Sequence, residues 1–330
     1  MLNARTIGAV SLLVIAGFAT LFSGCGSLGK DDLESALLAL EKNASARESG
    51  VERISVNGAI LGEGRFLRVA ARSDSGRGPV VLVHGTPGSL FNWTELLFSA
   101  HGGPALNDTR DVYALDVIGH GVTRTTHGPT TFQGCADYLV AFLEALSVDD
   151  VCLVGNSYGG EFVWRAALDR PDLITRVVLL DASGYARTDE QFLPEEVAMR
   201  ENPLAPIGWR LNSRDRIRTA LQPHFGREVS ADQLEEMFLV CDNADNWRAM
   251  VDLARDENGT RADELSSLSQ PTLLLWGDRD FAYPAESFGR RFETDIPNAE
   301  LHVISDCGHY PQEERPAVVA ERLRLFLSVD

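Results

Sequence analysis

Short apolar runs alternate along the chain with longer stretches whose apolar residues recur at helical spacing. The runs lie in the segments GPVVLVHG, VYALDVIGHG, VCLV, RVVLLDASG, PTLLLWGDRD and ELHVISDCGH. Continuous apolar runs of this length are typical of strands that are buried on both faces of a parallel sheet. The pattern therefore predicts an α/β fold in which strands and helices alternate.

Helices are predicted where apolar positions follow a period of 3.6, at residues 31–42, 131–146, 285–294 and 315–328, and directly after VCLVGNSYGG. Residues 51–71 instead alternate between apolar and polar positions, which predicts an antiparallel hairpin. We expect a mostly parallel sheet of eight strands, flanked by helices and led by this hairpin. The first helix is expected to pack on the domain or on a membrane surface.

The pattern changes between residues 185 and 269, where charge rises and no long strand-like run occurs. The segments LPEEVAMRE, SADQLEEMFLVC and NWRAMVDLARDE are predicted to be helical. An insertion after the sixth strand lies above the carboxyl ends of the strands, where ligands bind in open α/β sheets. We expect residues 51–184 and 270–330 to form the core and residues 185–269 to form a helical cap.

The first residues have the pattern of an export signal. Arg5 precedes an apolar stretch, residues 7–22, that contains no charge, so residues 1–24 are predicted to be a signal peptide. LFSGC resembles a bacterial lipobox, although Phe22 stands where leucine is usual, and this resemblance implies lipidation of Cys25. An uncleaved membrane anchor and a conventionally cleaved signal are the alternatives. We expect an exported, membrane-anchored lipoprotein of the cell envelope, with residues 25–50 as a tether and short helix.

The composition is that of an acidic globular protein. The 330 residues are 44% hydrophobic and 24% charged, and the formal net charge is −18. An acidic surface repels the phosphate backbone, so a nucleic-acid partner is not expected.

Cysteine spacing gives no sign of a metal site. Besides Cys25, the chain contains Cys135, Cys152, Cys241 and Cys307, and no two of them form a C-x-x-C pair. Cys152 lies in an apolar run and is predicted to be a packing residue. Cys135, Cys241 and Cys307 are left as possible disulfide partners. We predict neither a metal nor an organic cofactor.

The turn GNSYGG has the sequence of a catalytic turn between a strand and a helix. Gly155, Ser157 and Gly159 match G-x-S-x-G, the nucleophile elbow that holds a serine hydroxyl clear of the sheet. The two glycines are predicted to be necessary because a Cβ at either position would collide with the neighbouring backbone. The alternative is a glycine-rich turn without chemistry.

A serine nucleophile needs a base, which follows it in this type of chain. The histidines after the serine are His224, His302 and His309. His224 falls in the predicted cap and His302 within a strand, whereas His309 follows the end of that strand. Because the base must lie in a loop at the carboxyl edge of the sheet, His309 is predicted to be the base.

The segments HGTPG, DVIGHG, GNSYGG, WGDRDFAYP and DCGHYPQ follow one another in an order that resembles the α/β-hydrolase superfamily. The resemblance implies that the acid is Asp280, three residues after the glycine of WGDRD. Asp278 and Asp181 are alternatives, since some members of the superfamily carry the acid at the position of Asp181.

An oxyanion hole needs two N–H donors. The residue after the nucleophile, Tyr158, supplies one through its backbone. The resemblance at HGTPG places the second at the Thr86 N–H and gives His84 and Gly85 the task of supporting this loop. In the DVIGHG segment, Asp116 and His120 are expected to be structural.

These residues predict a serine hydrolase that acts through an acyl-enzyme, on a small to medium apolar carboxylic ester. Epoxide hydrolases and haloalkane dehalogenases of this fold have an aspartate at the elbow and are disfavoured. The alternatives are a carbon–carbon bond hydrolase acting on a dienoic ketone and an iminopeptidase-like amidase. An amidase would need a cap carboxylate for the substrate amine, for which Glu195, Glu196 and Glu201 are available. A non-catalytic surface binding protein is the alternative of another class.

Overall fold

A computed structural model describes residues 28–41, 50–56, 62–73, 75–98, 106–123 and 130–328. The predicted signal peptide and Cys25 lie outside these residues, so their assignment stays a prediction. Within the part of the chain that is described, no helix combines the length and the apolarity needed to cross a bilayer.

Eight strands form one sheet with the spatial order β1-β2-β4-β3-β5-β6-β7-β8. Their bounds are β1 Glu52–Val56, β2 Gly62–Val69, β3 Val80–Val83, β4 Val112–Leu115, β5 Val151–Asn156, β6 Ile174–Leu180, β7 Thr272–Gly277 and β8 Ala299–Ile304. β1 and β2 form the predicted antiparallel hairpin, β2 pairs antiparallel with β4, and the other neighbours are parallel. The predicted fold class is confirmed.

The helices lie on both faces of the sheet and above its carboxyl edge. Their bounds are α1 Lys30–Leu40, α2 Thr94–Phe98, α3 Phe132–Leu146, α4 Tyr158–Asp169, α5 Pro194–Glu201, α6 Arg214–Leu221, α7 Ala231–Asp242, α8 Ala244–Asp256, α9 Gly289–Asp295, α10 Pro311–Glu314 and α11 Pro316–Ser328. Shorter 3-10 turns include Leu90–Trp93, Ala205–Leu211 and Gln222–His224.

Two predicted helix boundaries need correction. The helix expected at residues 285–294 begins only at Gly289, because residues 284–288 form turns in which the Phe288 N–H donates to the Pro284 carbonyl. The helix expected from residue 315 begins at Pro316 and is preceded by the separate short helix α10. A proline suits the first helical position because its ring fixes φ and its missing N–H would have no partner there.

The sheet separates two hydrophobic clusters. In β3, Val81 and Val83 face one cluster together with α3, α4 and α9, whereas Val80 and Leu82 face the other together with α1, α2 and α11. This alternation explains why the β3 run is apolar at every position, since both faces are covered. The fully buried strands β3 and β5 therefore hold the loops at their carboxyl ends in fixed positions.

The first described helix packs on the protein. Leu33 and Leu37 of α1 are buried in the second cluster. Lys30 Nζ donates to the Gly121 carbonyl at 2.8 Å, and Asn243 Nδ2, between α7 and α8, donates to the Leu28 carbonyl at 2.7 Å. The helix was expected to pack either on the domain or on a membrane surface. The structure shows that α1 packs on the domain, between the core and helices α7 and α8.

Helices α5 to α8 lie between β6 and β7 and share a hydrophobic cluster of their own. The three helices predicted from the sequence in this region correspond to α5, α7 and α8. The fourth, α6, was not predicted, although its two buried residues, Ile217 and Leu221, are spaced by four. We refer to residues 185–269 as the cap.

Cys135, Cys152, Cys241 and Cys307 are all buried and free, so these four residues form no disulfide with one another. Burial raises the pKa of Cys152 and of Cys241 to about 12. Both thiols therefore stay protonated and act as packing groups, as predicted for Cys152.

Candidate active site

The chain turns sharply between β5 and α4 at Ser157, which has φ 56° and ψ −126°. This backbone conformation is rare for a residue with a side chain and is held by the surrounding structure. A Cβ on Gly155 would lie 2.4 Å from the Gly159 carbonyl oxygen, and one on Gly159 would lie 2.4 Å from the His84 carbonyl oxygen. The prediction that side chains are excluded at both glycines is confirmed.

The loop after β3 lies directly against the serine. A Cβ on Gly85 would stand 2.7 Å from the Ser157 Cβ, so only glycine permits this approach. His84 Nδ1 lies 2.7 Å from the Gly85 carbonyl oxygen, and Val117 N–H donates to His84 Nε2 at 3.3 Å. Burial lowers the pKa of His84 to about 4. His84 is therefore a neutral ring with its proton on Nδ1, and it supports the loop through hydrogen bonds.

The DVIGHG segment holds the other side of the same loop. The Thr86 hydroxyl lies 2.8 Å from His120 Nε2, and His120 Nδ1 lies 3.1 Å from the Ile118 carbonyl oxygen. The carbonyl can only accept, so Nδ1 carries the proton and Nε2 accepts from the Thr86 hydroxyl. Asp116 accepts N–H bonds from Leu90 and Val122, both at 2.6 Å. These contacts give Asp116 and His120 the structural task expected of them.

Asp280 and His309 are in contact at the carboxyl ends of β7 and β8. His309 Nδ1 lies 3.0 Å from Asp280 Oδ2, and both side chains are almost fully buried. Asp280 Oδ1 accepts the N–H bonds of Ala282 at 2.8 Å and Tyr283 at 3.2 Å. Burial acts to raise the pKa of Asp280, but the charge and hydrogen bond of His309 outweigh it and keep this pKa below its usual value. The Asp280 carboxylate binds the imidazole of His309 at Nδ1. The other ring nitrogen, Nε2, is therefore left to accept a proton from another group.

The other two candidate acids differ from Asp280 in position. Asp278 is exposed and accepts the Cys307 N–H at 3.2 Å. Asp181 is buried, and its Oδ1 accepts the Gly277 N–H at 2.9 Å, while its Oδ2 receives no hydrogen bond from a described donor. Burial, followed by the charge of Asp280, raises the pKa of Asp181 well above its usual value. The raised pKa favours the protonated form of Asp181, whose carboxyl group lies close to that of Asp280.

Asp181, Asp280 and His309 place their potential ligand atoms within 4.8 Å of one another, the closest that the described residues come to a metal-binding group. His309 Nδ1 and Asp280 Oδ2 are already engaged by their mutual hydrogen bond, and Asp181 Oδ1 accepts the Gly277 N–H. The arrangement fits a histidine oriented by a carboxylate.

Backbone contacts hold His309 against the elbow. Asn156 Nδ2, one residue before the serine, donates to the His309 carbonyl at 2.9 Å, and the His309 N–H donates to the His224 carbonyl at 2.7 Å. The His224 ring lies 5.8 Å from the His309 ring, and burial followed by His309 lowers the pKa of His224 to about 4. His302 instead contacts Glu300 on β8. His224 thus positions the predicted base, a role that the sequence did not indicate.

One cavity of about 1180 Å³ connects the elbow to the cap. Ser157, Tyr158, Thr86 and His309 all line it. The remaining wall comes mainly from the cap and is largely apolar, including Leu193, Met199, Leu204, Ile207, Leu211 and Ile217. The structure therefore brings the predicted nucleophile, base and oxyanion residues to one cavity.

A buried ionic cluster lies in the wall of this cavity. Glu257 accepts hydrogen bonds from the Tyr158 hydroxyl at 2.7 Å, from the Tyr283 hydroxyl at 2.8 Å and from Arg187 Nε at 2.9 Å. Arg187 Nη2 also donates to Glu196 at 2.8 Å, whereas the buried Arg187 Nη1 has no hydrogen-bond partner among the described residues. The sequence did not indicate this cluster, because Arg187 and Glu257 are 70 residues apart.

Of the three glutamates considered for an amine, only Glu195 and Glu196 line the cavity. Glu196 already binds Arg187 and accepts the Leu193 N–H at 2.7 Å. Glu201 is exposed outside the cavity lining.

The sequence matches the family described as alpha/beta hydrolase fold over residues 78–316. The chain belongs to the α/β-hydrolase family. It is an enzyme of this family, and the matched residues extend from the strand before the HGTPG loop to the start of α11.

Two relatives and one solved structure illustrate the likeness. The uncharacterized hydrolase YugF of Bacillus subtilis is 28% identical over 76% of this chain and 90% of its own length. The 2-hydroxy-6-oxo-2,4-heptadienoate hydrolase of Pseudomonas putida is 29% identical over 78% of this chain and 92% of its own length. A membrane phospholipase A has a TM-score of 0.71 at 24% identity, covering 98% of this chain and 97% of that one, a likeness that shows the fold alone.

Proposed function

We propose that this enzyme is a serine hydrolase that cleaves carboxylic esters through an acyl-enzyme. The observation that carries the proposal is the arrangement around the cavity. Ser157 stands at a strained turn and lines the same space as His309, whose Nδ1 is held by the buried carboxylate of Asp280. A nucleophile, a base and a group that orients the base are the parts this chemistry needs.

In the proposed reaction, Ser157 Oγ attacks the ester carbonyl carbon while His309 Nε2 takes the hydroxyl proton. The resulting oxyanion is stabilised by the backbone N–H groups of Tyr158 and Thr86. The C–O bond to the alcohol then breaks, and His309 returns the proton to the leaving alkoxide. Water, deprotonated by His309, attacks the acyl-enzyme and releases the acid and the free serine.

The shape of the cavity supports an apolar acyl or alcohol group. Its volume of about 1180 Å³ and its aliphatic wall match a substrate whose main contacts are apolar. The scheme uses side chains and water alone, without a metal or an organic cofactor.

A carbon–carbon bond hydrolase is the second candidate, favoured by a specific observation. Arg187 lines the cavity, and a guanidinium is the group that binds a substrate carboxylate most readily. The Pseudomonas putida relative at 29% identity is named as a hydrolase of a dienoate. The same serine and histidine would serve either reaction.

We also propose that the enzyme is exported and held at the membrane by lipid on Cys25. The lipobox-like sequence LFSGC after an uncharged apolar stretch supports this location. Cells expressing the full chain and fed a clickable fatty acid should label the wild type and leave Cys25→Ser unlabelled. Equal labelling of both chains would contradict the proposal.

The function is tested by comparing p-nitrophenyl esters of increasing acyl length with a 2-hydroxy-6-oxo-dienoate, using the full chain. We expect turnover of esters by the wild type and loss of that turnover in Ser157→Ala, with circular dichroism unchanged. Faster turnover of the dienoate, abolished in Arg187→Met, would favour the second candidate. Ester turnover that persists in Ser157→Ala would overturn the proposal.

A further inference from the structure

Three large apolar side chains stand half in solvent at the mouth of the cavity. Leu204, Ile207 and Leu211, which we call the cap lip, are 52%, 50% and 50% exposed, and all three line the cavity that holds Ser157. Leu204 precedes the 3-10 segment Ala205–Leu211 directly, and Ile207 and Leu211 lie within it. Apolar side chains grouped at the entrance of a site mark a surface that contacts another apolar phase.

Arginine side chains lie beside the cap lip, at a cavity that Glu195 and Glu196 also line, in a chain whose net charge is −18. Arg210 and Arg216 are exposed and line the same cavity mouth, and no described carboxylate forms an ion pair with either guanidinium. Arg214 is also exposed but pairs with Glu235, and Asp215 adds one negative charge beside them. The aliphatic side chains match the acyl region of an anionic bilayer, and Arg210 and Arg216, which have no acidic partner in the described part of the chain, match its phosphate headgroups.

The first described residues lie beside this surface. Asn243 Nδ2 donates to the Leu28 carbonyl at 2.7 Å, and Asn212 Nδ2, next to the cap lip, donates to the Cys241 carbonyl at 2.9 Å. Leu28 and the residue next to the cap lip therefore form hydrogen bonds with Asn243 and Cys241, which are two positions apart at the end of α7. The three residue steps from Cys25 to Leu28 span at most about 10 Å. A lipid on Cys25 would therefore keep a bilayer close to the cap lip.

We propose that the cap lip docks on an anionic phospholipid bilayer, and that the substrate is an amphiphilic ester that passes from the bilayer through the cavity to Ser157. The docking is independent of the reaction catalysed, whereas the identity of the substrate rests on the proposed ester hydrolysis. Docking seals the cavity mouth against the bilayer, so an acyl chain can move from lipid to the cavity without crossing water.

Tryptophan fluorescence gives a test of docking that does not depend on activity. Of the five tryptophans, Trp93, Trp164, Trp247 and Trp276 are buried, and Trp209 is the one that reaches solvent, on the segment that carries the cap lip. The full chain is reconstituted in vesicles of phosphatidylcholine and phosphatidylglycerol with brominated acyl chains. We expect quenching that is lost in Trp209→Phe, reduced in Ile207→Ser/Leu211→Ser and reduced without phosphatidylglycerol.

The control for this experiment is Leu325→Ser, because Leu325 is 55% exposed on α11 and does not line the cavity. Its quenching should equal that of the wild type. Quenching that is absent, or that persists in Trp209→Phe, would overturn the docking. Docking on the bilayer would also be overturned if Trp209 were not quenched and the protein formed a dimer that dissociates in Ile207→Ser/Leu211→Ser. That result would show that a second copy of the chain covers the cap lip.

The substrate is tested by the ratio of two rates, that on a fluorogenic long-chain ester embedded in the vesicles and that on a soluble short-chain p-nitrophenyl ester. We expect this ratio to fall about tenfold in Ile207→Ser/Leu211→Ser and to stay constant in Leu325→Ser. An unchanged ratio in the lip variant would contradict transfer of substrate from the bilayer. Quenching of Trp209 without hydrolysis of either ester would contradict the proposed ester hydrolysis and leave the docking supported.

Discussion

Asp280 Oδ2 lies 3.0 Å from His309 Nδ1, a contact that joins the loops after two adjacent strands. The carboxylate fixes which ring nitrogen carries the proton, and so leaves Nε2 as the basic nitrogen. Asp181 follows the neighbouring strand, and its carboxyl group lies close to that of Asp280. Burial and the charge of Asp280 raise the pKa of Asp181, whereas His309 lowers that of Asp280, so the two buried pKa values shift in opposite directions.

These pKa shifts predict that substitution by asparagine has a large effect on kcat at Asp280 and a small effect at Asp181. Asp280→Asn should lower kcat by about 10³- to 10⁴-fold, because an amide can hold the wrong tautomer of His309. Asp181→Asn should change kcat by less than about tenfold, because the amide is uncharged, like the protonated form that the raised pKa of Asp181 favours. Steady-state kinetics on one ester measures both effects. A larger loss in Asp181→Asn would identify Asp181 as the acid that orients the base.

The buried pair of Arg187 and Glu257 predicts a large stability effect. Both side chains are 2% exposed. Glu257→Gln would remove the negative charge that neutralises the buried guanidinium of Arg187. The free energy of unfolding should fall by about 3 kcal/mol or more, as measured by urea denaturation. The matched control is Glu264→Gln, whose side chain is 45% exposed beside Arg261, and which should cost about 1 kcal/mol or less. Equal effects of the two substitutions would contradict this account.

The sequence predicted the sheet and the turn at Ser157 because both depend on local pattern. Apolar runs define the strands, and Gly155 and Gly159 are required by a close approach within the turn itself. The hairpin, the order of elements and three of the four inserted helices follow from the same periodicity.

Contacts between distant segments could not be predicted in this way. The Arg187–Glu257 pair and the His224 carbonyl behind His309 depend on how the cap folds back over the sheet. The sequence assigns the acid to Asp280 through the resemblance alone, with Asp278 and Asp181 as alternatives. Burial and mutual charge, rather than residue type, decide which of the buried carboxyl groups ionises.

A second carboxylate cluster predicts how stability changes with pH. Glu236 contacts Ser89 at 3.1 Å and Asn92 at 3.3 Å, and burial followed by the charge of Glu313 raises its pKa from 4.5 to about 8. The folded protein therefore holds this proton more tightly than the unfolded chain does. The contribution to stability is complete below about pH 4.5 and is lost as the pH rises through about 8.

Glu236→Gln should remove this contribution, since the amide has no proton to lose. Urea unfolding between about pH 5 and pH 9 should show a shallower decline of stability in the variant than in the wild type. Glu321→Gln, an exposed position on α11, is the control and should follow the wild type. Parallel curves for the wild type and Glu236→Gln would show that Glu236 does not hold its proton in the folded protein.

The central claim is that Ser157 becomes acylated with the help of His309. Mass spectrometry of the full chain after exposure to a fluorophosphonate, and to an ester that deacylates slowly, tests it most directly. We expect one adduct, on the peptide that contains Ser157, absent in Ser157→Ala and formed far more slowly in His309→Ala. An adduct on another residue, or ester turnover by the wild type without any adduct at Ser157, would contradict the claim.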